Sequence, residues 1–365
     1  NGDFSELGSE EVSNGSFSQE GVEEITNGDF SNGINNWTTG SSNPATVSNE
    51  VLTLPSNAYI FQNLSSLNGK QAKIVVNGSG KVRYRLTTSG YSAQTEMPFT
   101  VYEEFGSSSR LQIQNSTGEE VTIDNVSCVE VGQDWTFGTG WSVSEDKVVG
   151  DGTMGANVFG QNVGFTQGNI YKFSFTIEDY VSGSIYIREP FNGYLDPSSA
   201  DGNYSFYYVA GASNRIDFRG NSFIGSITNI SVKEVGQNWT ILSPWVVGDS
   251  VLSIDGSQVS NQYTSQVIPS LTSGNKYKLK YTISNITAGQ FRINVANTLG
   301  AYVTSNGTYE FIFNATSGTT LQLQASTTLA ASVTNISVIE ITDDTNLPRI
   351  SYENFSYQDA LGSEL

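Results

Sequence analysis

The sequence predicts an all-β protein made of three tandem antiparallel β-sandwich (jelly-roll) modules, preceded by a short strand-turn segment with a 13-residue repeat. The first observation is a repeat: Asn125–Val131 returns as Asn229–Val235 and again as Asn335–Ile341, after 104 and then 106 residues. The second is strict alternation of apolar and polar residues, clearest in Tyr171–Ile177, which indicates a half-buried strand. The third is a lack of any 3.6-residue period in a chain with 37 glycines. Such repeated short strands are typical of sandwich modules.

The repeats also predict where each segment begins and ends. Two junctions, Val-Gly-Gln-Asp-Trp135 and Val-Gly-Gln-Asn-Trp239, are nearly identical and leave almost no linker. Trp37, Trp141 and Trp245 share a spacing of 104 residues, which suggests that they are equivalent. The predicted segments are acidic 13-residue repeats at 1–26, jelly-roll modules 1, 2 and 3 at 27–133, 134–237 and 238–342, and a connector to a further region at 343–365.

The segment before module 1, called the leader below, carries its own short repeat. Asn1–Phe4 (Asn-Gly-Asp-Phe), Asn14–Phe17 (Asn-Gly-Ser-Phe) and Asn27–Phe30 (Asn-Gly-Asp-Phe) recur every 13 residues, and the leader holds seven acidic residues and no basic one. Two interpretations stay open: a stacked strand-turn array that extends a fibre, or an acidic leader that copies the start of module 1 and packs loosely. Leu361–Leu365 matches Leu7–Glu11, the middle of the unit, and this predicts that the repeat continues in a longer polypeptide.

Composition excludes several classes of function. A net charge of −19 argues against a nucleic-acid partner, because phosphate neutralisation needs a basic face. The chain has no histidine and one cysteine, which excludes histidine-based catalysis and internal disulfides. Cys128 aligns with Val232 and Val338 on the apolar phase of the closing strand, so we expect a buried hydrophobe. No apolar run reaches the ~18 residues of a membrane span, and no acidic pair recurs as a glycosidase would need. We therefore expect a protein that is not an enzyme and does not insert into membranes.

Polar side chains with paired donors and acceptors lie at outward positions of two strands in each module. Seven of the eight arginines are among these outward positions. Planar arginine and amide groups match vicinal sugar hydroxyls, and tyrosine stacks on a pyranose face. An ordinary solvated sheet face explains the same pattern without a ligand. The candidate glycan-binding residues are Arg83, Arg85, Gln112, Gln114, Tyr186, Arg188, Asp217, Arg219, Arg292, Asn294, Gln322 and Gln324.

Two carboxylates in module 1 are candidate metal ligands. Asp29 and Asp124 supply the hard oxygen atoms that calcium prefers, and a structural calcium is expected in this module alone, because modules 2 and 3 have Thr228 and Thr334 in place of Asp124. The alternative is that each aspartate forms an Asx-turn or a cap.

Module 1 resembles the carbohydrate-binding modules of families 4 and 9. The resemblance lies in Ile25–Phe30, Gly33–Trp37 and Ile123–Ser127, and it covers residues 25 to 131. It implies a galactose-binding-like jelly roll that binds polysaccharide on a concave sheet face, with a structural calcium near the two chain ends. Modules 2 and 3 lack the Asn-Gly-Asp-Phe start and the aspartate of the closing motif.

Two further features are similar to long structural proteins of bacteriophages. The first feature is the sequence Val-Gly-Gln-Asn-Trp-Thr240 together with the repeated Asn-Gly-Asp-Phe units. The second is Asn346–Ile350 (Asn-Leu-Pro-Arg-Ile) followed by Tyr352, which resembles a connector of phage tail and fibre proteins. The resemblance implies a virion-surface, extracellular location.

Three functions follow from the sequence. The first is a fibre or decoration protein that attaches to host-surface glycans, each module weakly and with avidity from repetition. The second is a structural spacer that packs on other copies or on other virion proteins, and a row of exposed apolar residues would favour it. The third is a set of accessory binding modules of a polysaccharide-degrading enzyme.

Overall fold

The computed structural model describes residues 2–86, 90–107, 109–188 and 199–341. The chain divides into two compact units: Ser9–Lys233, which holds modules 1 and 2, and Asn1–Gly8 with Glu234–Leu365, which holds module 3. The described residues form 29 strands and one short 3₁₀ turn, which confirms the predicted all-β, antiparallel class. The predicted connector, including Arg349, lies outside the described residues.

The strands are numbered in chain order. The leader holds β1 (Leu7–Glu10) and β2 (Glu20–Glu23). Module 1 holds β3 (Thr38–Gly40), β4 (Thr46–Ser48), β5 (Val51–Leu54), β6 (Tyr59–Asn63), a 3₁₀ turn (Ser65–Leu67), β7 (Gln71–Ser79), β8 (Lys81–Arg85), β9 (Thr95–Glu96), β10 (Phe99–Glu104), β11 (Arg110–Gln114) and β12 (Val121–Val131). Module 2 holds β13 (Thr136–Phe137), β14 (Trp141–Ser144), β15 (Lys147–Asp151), β16 (Val158–Asn162), β17 (Ile170–Ile187), β18 (Gly202–Val209) and β19 (Arg215–Val235). Module 3 holds β20 (Trp239–Thr240), β21 (Val246–Gly248), β22 (Val251–Asp255), β23 (Gln262–Val267), β24 (Lys276–Ala288), β25 (Phe291–Val295), β26 (Thr298–Leu299), β27 (Gly307–Asn314), β28 (Thr320–Ala325) and β29 (Ala330–Glu340).

Modules 1 and 3 each contain two antiparallel sheets with the same strand order. In module 1 the sheets run β10-β7-β12-β5-β4 and β3-β6-β11-β8-β9. In module 3 they run β27-β24-β29-β22-β21 and β20-β23-β28-β25-β26. Alternation within the strands turns one apolar face of each sheet inward: Ala72, Ile74 and Val76 of β7 are all fully buried. The second sheet of each module presents the outward residues that sequence analysis singled out.

Module 2 differs because two of its strands are unusually long. The predicted strands at 171–177 and 183–188 are parts of one strand, β17, rather than two strands joined by a turn. The chain bends there at Asp179 and Gly183, which adopt positive φ, instead of ending the strand. Arg215 and the closing motif likewise share the single strand β19.

The 13-residue units of the leader do not stack on one another. Instead β2 pairs with β12 of module 1 and β1 pairs with β19 of module 2. The phenylalanine of each unit is buried in a different module: Phe30 packs on Trp37, Phe17 on Trp135 and Phe4 on Trp239, with ring centroids 5.2–5.7 Å apart. The part of the leader nearest module 1 completes module 1, the part before it completes module 2, and the first residues complete module 3. Both interpretations from the sequence, the stacked array and the loosely packed leader, differ from this arrangement.

These contacts also correct the equivalence among the tryptophans. The indole N–H of Trp37 donates to the carbonyl of Asn27 at 3.0 Å, and that of Trp135 donates to the carbonyl of Asn14 at 3.2 Å. Trp37 therefore occupies the place of Trp135 rather than that of Trp141. Trp141 is the first residue of β14, the strand of module 2 that corresponds to β4. The 104-residue spacing between Trp37 and Trp141 therefore relates residues at two different positions in the fold.

Candidate functional site

The outer sheet of module 1 brings four predicted residues together. In the pairing of β11 with β8, Gln114 lies opposite Arg83 and Gln112 lies opposite Arg85. Arg83 donates to the side-chain amide oxygen of Gln114 from Nε (3.1 Å) and from Nη2 (2.9 Å). Arg85 donates to the side-chain amide oxygen of Gln112 at 2.8 Å. The two bonds of Arg83 use two of its five N–H groups. Cross-strand bonding thus holds the guanidinium groups in fixed orientations on the sheet.

Aromatic side chains that sequence analysis did not single out flank this network. Tyr91, in the loop after β8, lies under the guanidinium groups of Arg83 and Arg85, with centroid distances of 4.2 and 4.6 Å. Its hydroxyl accepts a hydrogen bond from Gln112 Nε2 at 2.5 Å. On the other side of the network, Tyr59 of β6 lies opposite Gln114 in the strand register. Cation–π contacts of this kind fix arginine side chains that are otherwise free to rotate.

Module 3 repeats the arrangement at equivalent positions. Arg292 Nε donates to the side-chain amide oxygen of Gln324 at 2.8 Å. Its guanidinium lies 4.7 Å from the ring centroid of Tyr302. Tyr263 of β23 lies opposite Gln324, as Tyr59 lies opposite Gln114. Tyr263 and Tyr302 are each about half exposed, at 49% and 51%.

Two further predicted residues of module 3 extend its network. Asn294 donates to Gln322 at 3.2 Å, and Gln324 donates to the same oxygen at 3.2 Å. In module 1 the corresponding residues are Arg85, Gln112 and Gln114, so the two faces share their hydrogen-bonded ladder. They differ in charge, because Arg85 and Arg110 of module 1 correspond to Asn294 and Thr320.

We call the two sets of four residues the Tyr–Gln–Arg–Tyr clusters. Within the described residues, neither Arg83 nor Arg292 forms an ion pair, and the partner of each is a neutral amide. The positive charge of each cluster is thus not neutralised by a bonded carboxylate, although the protein as a whole is strongly acidic. The clusters consist of Tyr59, Gln114, Arg83 and Tyr91 in module 1 and of Tyr263, Gln324, Arg292 and Tyr302 in module 3.

Among its described residues, module 2 does not share this cluster. Asp217 is only 7% exposed, and its carboxylate accepts a bond of 2.6 Å from Arg215 Nε, which neutralises the charge. The pair fits because Gly160 lies opposite; a Cβ there would approach Asp217 Oδ1 to 2.2 Å. Tyr186 and Arg219 line a surface cleft of about 280 Å³. The cleft is a separate feature of module 2.

Gln112 is buried, which alternation alone did not anticipate, whereas Arg188 is exposed as an outward position should be. Gln112 is fully buried on the outer side of its strand, because Tyr91 and its arginine partners cover it. Arg188 is exposed just after β17, and its backbone N–H donates to the carbonyl of Asp217 at 2.9 Å. Gln112 therefore acts within the protein to orient its neighbours.

The two candidate calcium ligands have different surroundings. Asp29 Oδ1 accepts hydrogen bonds from the backbone N–H (3.2 Å) and the hydroxyl (2.9 Å) of Ser31, and these bonds lower its pKa below the ordinary value. Asp3 forms the same turn with Ser5 in the unit that completes module 3. Asp124 is an exposed residue at a register shift of β12. The turn around Asp29 is thus a recurring feature of the 13-residue unit, and the calcium site stays a prediction.

The described residues hold no group of three or more histidine, cysteine, aspartate or glutamate residues arranged to bind a metal ion. Nor does this part of the chain contain a helix with the length and apolar character of a membrane span.

Comparison with known proteins adds little to this geometry. No protein-family model matches the chain, and no curated protein matches it in sequence. Among solved structures, the chain is similar to one described as "The Triple Jelly Roll Fold and Turret Assembly in an Archaeal Virus" (12% identity, 90% of each chain, TM-score 0.18). It is also similar to a chain of Sulfolobus Turreted Icosahedral Virus (14%, 83% of this chain and 89% of that one, 0.18) and to the secreted serine protease VesC from Vibrio cholerae (10%, 75% and 74%, 0.20). At these TM-scores the likenesses do not bear on function, which is inferred below from the residues themselves.

Proposed function

We propose that this chain is a non-catalytic glycan-binding segment of a virion-surface protein, and that modules 1 and 3 bind the glycan through their Tyr–Gln–Arg–Tyr clusters. The observation that carries the proposal is that a tyrosine, a glutamine and an arginine recur in the same strand register in two modules, with the same arginine-to-glutamine hydrogen bond. In each module a second tyrosine, from a loop, contacts the arginine. A solvated sheet face requires only polar residues, and it does not require this combination.

The chemistry of the cluster suits a sugar. A tyrosine ring offers an apolar face for a pyranose, while guanidinium and amide groups donate and accept in pairs that match vicinal hydroxyls. Because strands and cross-strand bonds hold these groups, little side-chain freedom is lost on binding. The unneutralised charge of Arg83 and Arg292 favours a glycan that carries carboxylates or other anionic groups.

The test is a glycan-array screen of the full chain, with and without calcium, followed by titration of any hit. The double variant Arg83→Ala, Arg292→Ala should lose binding while its melting temperature stays near that of the parent. The matched control is Lys81→Ala, which removes an exposed cation from the same strand as Arg83 but lies outside the cluster. If the double variant binds as well as the parent, the clusters are not the site.

A second candidate function is structural, and one observation favours it. On module 3, Ile312 (54% exposed) and Ile339 (59% exposed) lie in register on either side of Lys278 and form an apolar row on the surface. The residue of module 1 that corresponds to Ile312 is Tyr102, which packs against the core of module 2. This face of module 3 therefore resembles a packing surface for another copy of the chain, and concentration-dependent sedimentation of the parent and of Ile312→Ser tests it.

A further inference from the structure

The closing strand of every module leaves one edge that its own module does not cover. In module 1 this edge is covered by β2, which pairs with β12 at Val129 and Val131. In module 2 the corresponding edge of β19 is covered by β1. Val129 and Val131 are buried, at 9% and 5% exposure, and Val131 belongs to the core of module 2.

A glutamate fixes each covering strand in place. Glu23 accepts hydrogen bonds from Ser127 Oγ (2.5 Å) and from the backbone N–H of Cys128 (2.8 Å). Glu10 does the same in module 2, where Ser231 Oγ (2.6 Å) and the N–H of Val232 (2.7 Å) are the donors.

A glycine two positions earlier lets the covering strand approach closely. A Cβ on Gly21 would lie 3.1 Å from Cβ of Glu130, and one on Gly8 would lie 3.2 Å from Cβ of Glu234. The covering strand thus follows the pattern x-Gly-x-Glu, in which the glycine gives access and the glutamate accepts two hydrogen bonds from the edge.

Module 3 has the same edge without a cover among the described residues. Ser337, Val338 and Glu340 of β29 correspond to Ser127, Cys128 and Glu130, since Asn335–Ile341 repeats Asn125–Val131. Within this part of the chain β29 pairs only with β22 and β24, and no strand lies where β2 lies on β12. Ile339 and Ile341 are 59% and 41% exposed, whereas their counterparts Val129 and Val131 are buried.

We propose that the edge of β29 at Ser337–Ile341 binds Leu361–Leu365 of the same chain as an added antiparallel strand. Leu361-Gly-Ser-Glu364 has the same sequence as Leu7-Gly-Ser-Glu10, the strand that covers module 2. The assignment places Gly362 against Glu340 and Glu364 where it accepts from Ser337 and from the N–H of Val338. It pairs the open strand edge, a form of β-augmentation.

The connection within one chain is long enough. By the register of β2 on β12, Leu361 lies beside Ile341, so the 19 intervening residues have to bridge one strand spacing of about 4.8 Å. Fully extended, they would span roughly 60 Å. A tether of this length gives an effective concentration in the millimolar range, which favours the same chain over a second copy at ordinary concentrations.

Disulfide trapping in the full chain tests the assignment. Ile341→Cys, Leu361→Cys should form an intrachain disulfide on mild oxidation, because these residues are cross-strand neighbours; the native Cys128 is fully buried and does not compete. The control pair Ile341→Cys, Ser356→Cys has a similar tether but lies off the register, so it should react more slowly. Equal rates for the two pairs overturn the proposal, and a disulfide-linked dimer assigns the edge to a second copy instead.

Hydrogen–deuterium exchange supplies a second readout that needs no engineered cysteine. The edge-facing amides of Val338 and Glu340 should be protected in the parent chain, and Glu364→Ala should speed their exchange by about tenfold or more. The N–H of Ile341 already donates to the carbonyl of Lys276 at 2.7 Å and does not report on the added strand. Ser363→Ala is the matched control, since the corresponding Ser9 is exposed and the change should leave protection intact. Rapid exchange of these amides in the parent, or no effect of Glu364→Ala, refutes the proposal.

Discussion

Replacing Phe17 with alanine tests the most unexpected feature of this fold, the completion of a distant module by the leader. Phe17 is 1% exposed and packs against Trp135 at 5.2 Å and Phe159 at 6.4 Å, so its ring belongs to the core of module 2. We expect Phe17→Ala to destabilise module 2 although the residue lies before module 1 in sequence.

The magnitude follows from what the substitution removes and what it leaves. Removing a buried phenyl ring from a packed core costs about 3–5 kcal/mol of unfolding free energy. The backbone bonds of the unit remain: Gln161 accepts from the N–H of Ser13 at 2.8 Å and donates to its carbonyl at 2.9 Å, and Ile230 donates to Gly15 at 2.9 Å. Because these bonds hold the segment in place, we expect about 3 kcal/mol, the lower end of that range.

Urea denaturation followed by hydrogen–deuterium exchange resolves the effect by module. Exchange should speed up in β16 and β19 and stay unchanged in the sheets of module 1. Val22→Ala is the control, since Val22 is 77% exposed in the same leader and its loss should change stability by less than about 0.5 kcal/mol. A loss of less than 1 kcal/mol for Phe17→Ala, or one spread equally over modules 1 and 2, would refute the reasoning.

Two further expectations concern buried positions of module 1. Burial, with smaller contributions from Glu23 and Glu24, raises the pKa of Cys128 from 9.0 to about 12, so the thiol should resist alkylation in the folded protein and react once urea unfolds it; rapid alkylation without denaturant would contradict its placement. Because the pKa of the thiol is higher in the folded state than in the unfolded state, its contribution to stability is complete below pH 9 and is lost as the pH rises towards 12. Thermal melts of the parent and of Cys128→Val across this pH range measure the loss. Gly28→Ala should lower the melting temperature, since a Cβ there would lie 2.0 Å from the carbonyl oxygen of Val126; an unchanged melting temperature would show that the turn can shift away from β12.

Local patterns in the sequence were sufficient to predict that individual segments are strands and that the cysteine is buried, but not where the long strands of module 2 end. Alternation in Tyr171–Ile177 identifies a strand because half-burial is decided within that strand, and Cys128 is buried as its alignment with Val232 indicated. The partners of the leader could not be predicted in the same way. Phe4, Phe17 and Phe30 share one motif, and nothing within the motif specifies which module each of them completes.

The candidate site shows the same division between local and long-range information. Arginine and glutamine at outward positions of β8 and β11 were predictable from period two. Tyr91 was not, because it reaches the face from the loop after β8, where no periodicity applies. A tyrosine follows the corresponding strand in module 3 as well, at Tyr302, and that recurrence was the available signal.

The leader also determines which pieces of this protein can be studied alone. A fragment covering 134–237 would lack Phe17 and expose Trp135, and it would leave Gln161 without its partners on Ser13. A fragment covering 238–342 would lack Phe4 and the bond from Ile336 to the carbonyl of Gly2. Both fragments would present incomplete sandwiches with apolar surface that is buried in the whole chain, and such surface binds ligands and other chains nonspecifically. Glycan binding and self-association therefore have to be measured on the full chain, where a positive result can be assigned to the Tyr–Gln–Arg–Tyr clusters or to the edge of β29.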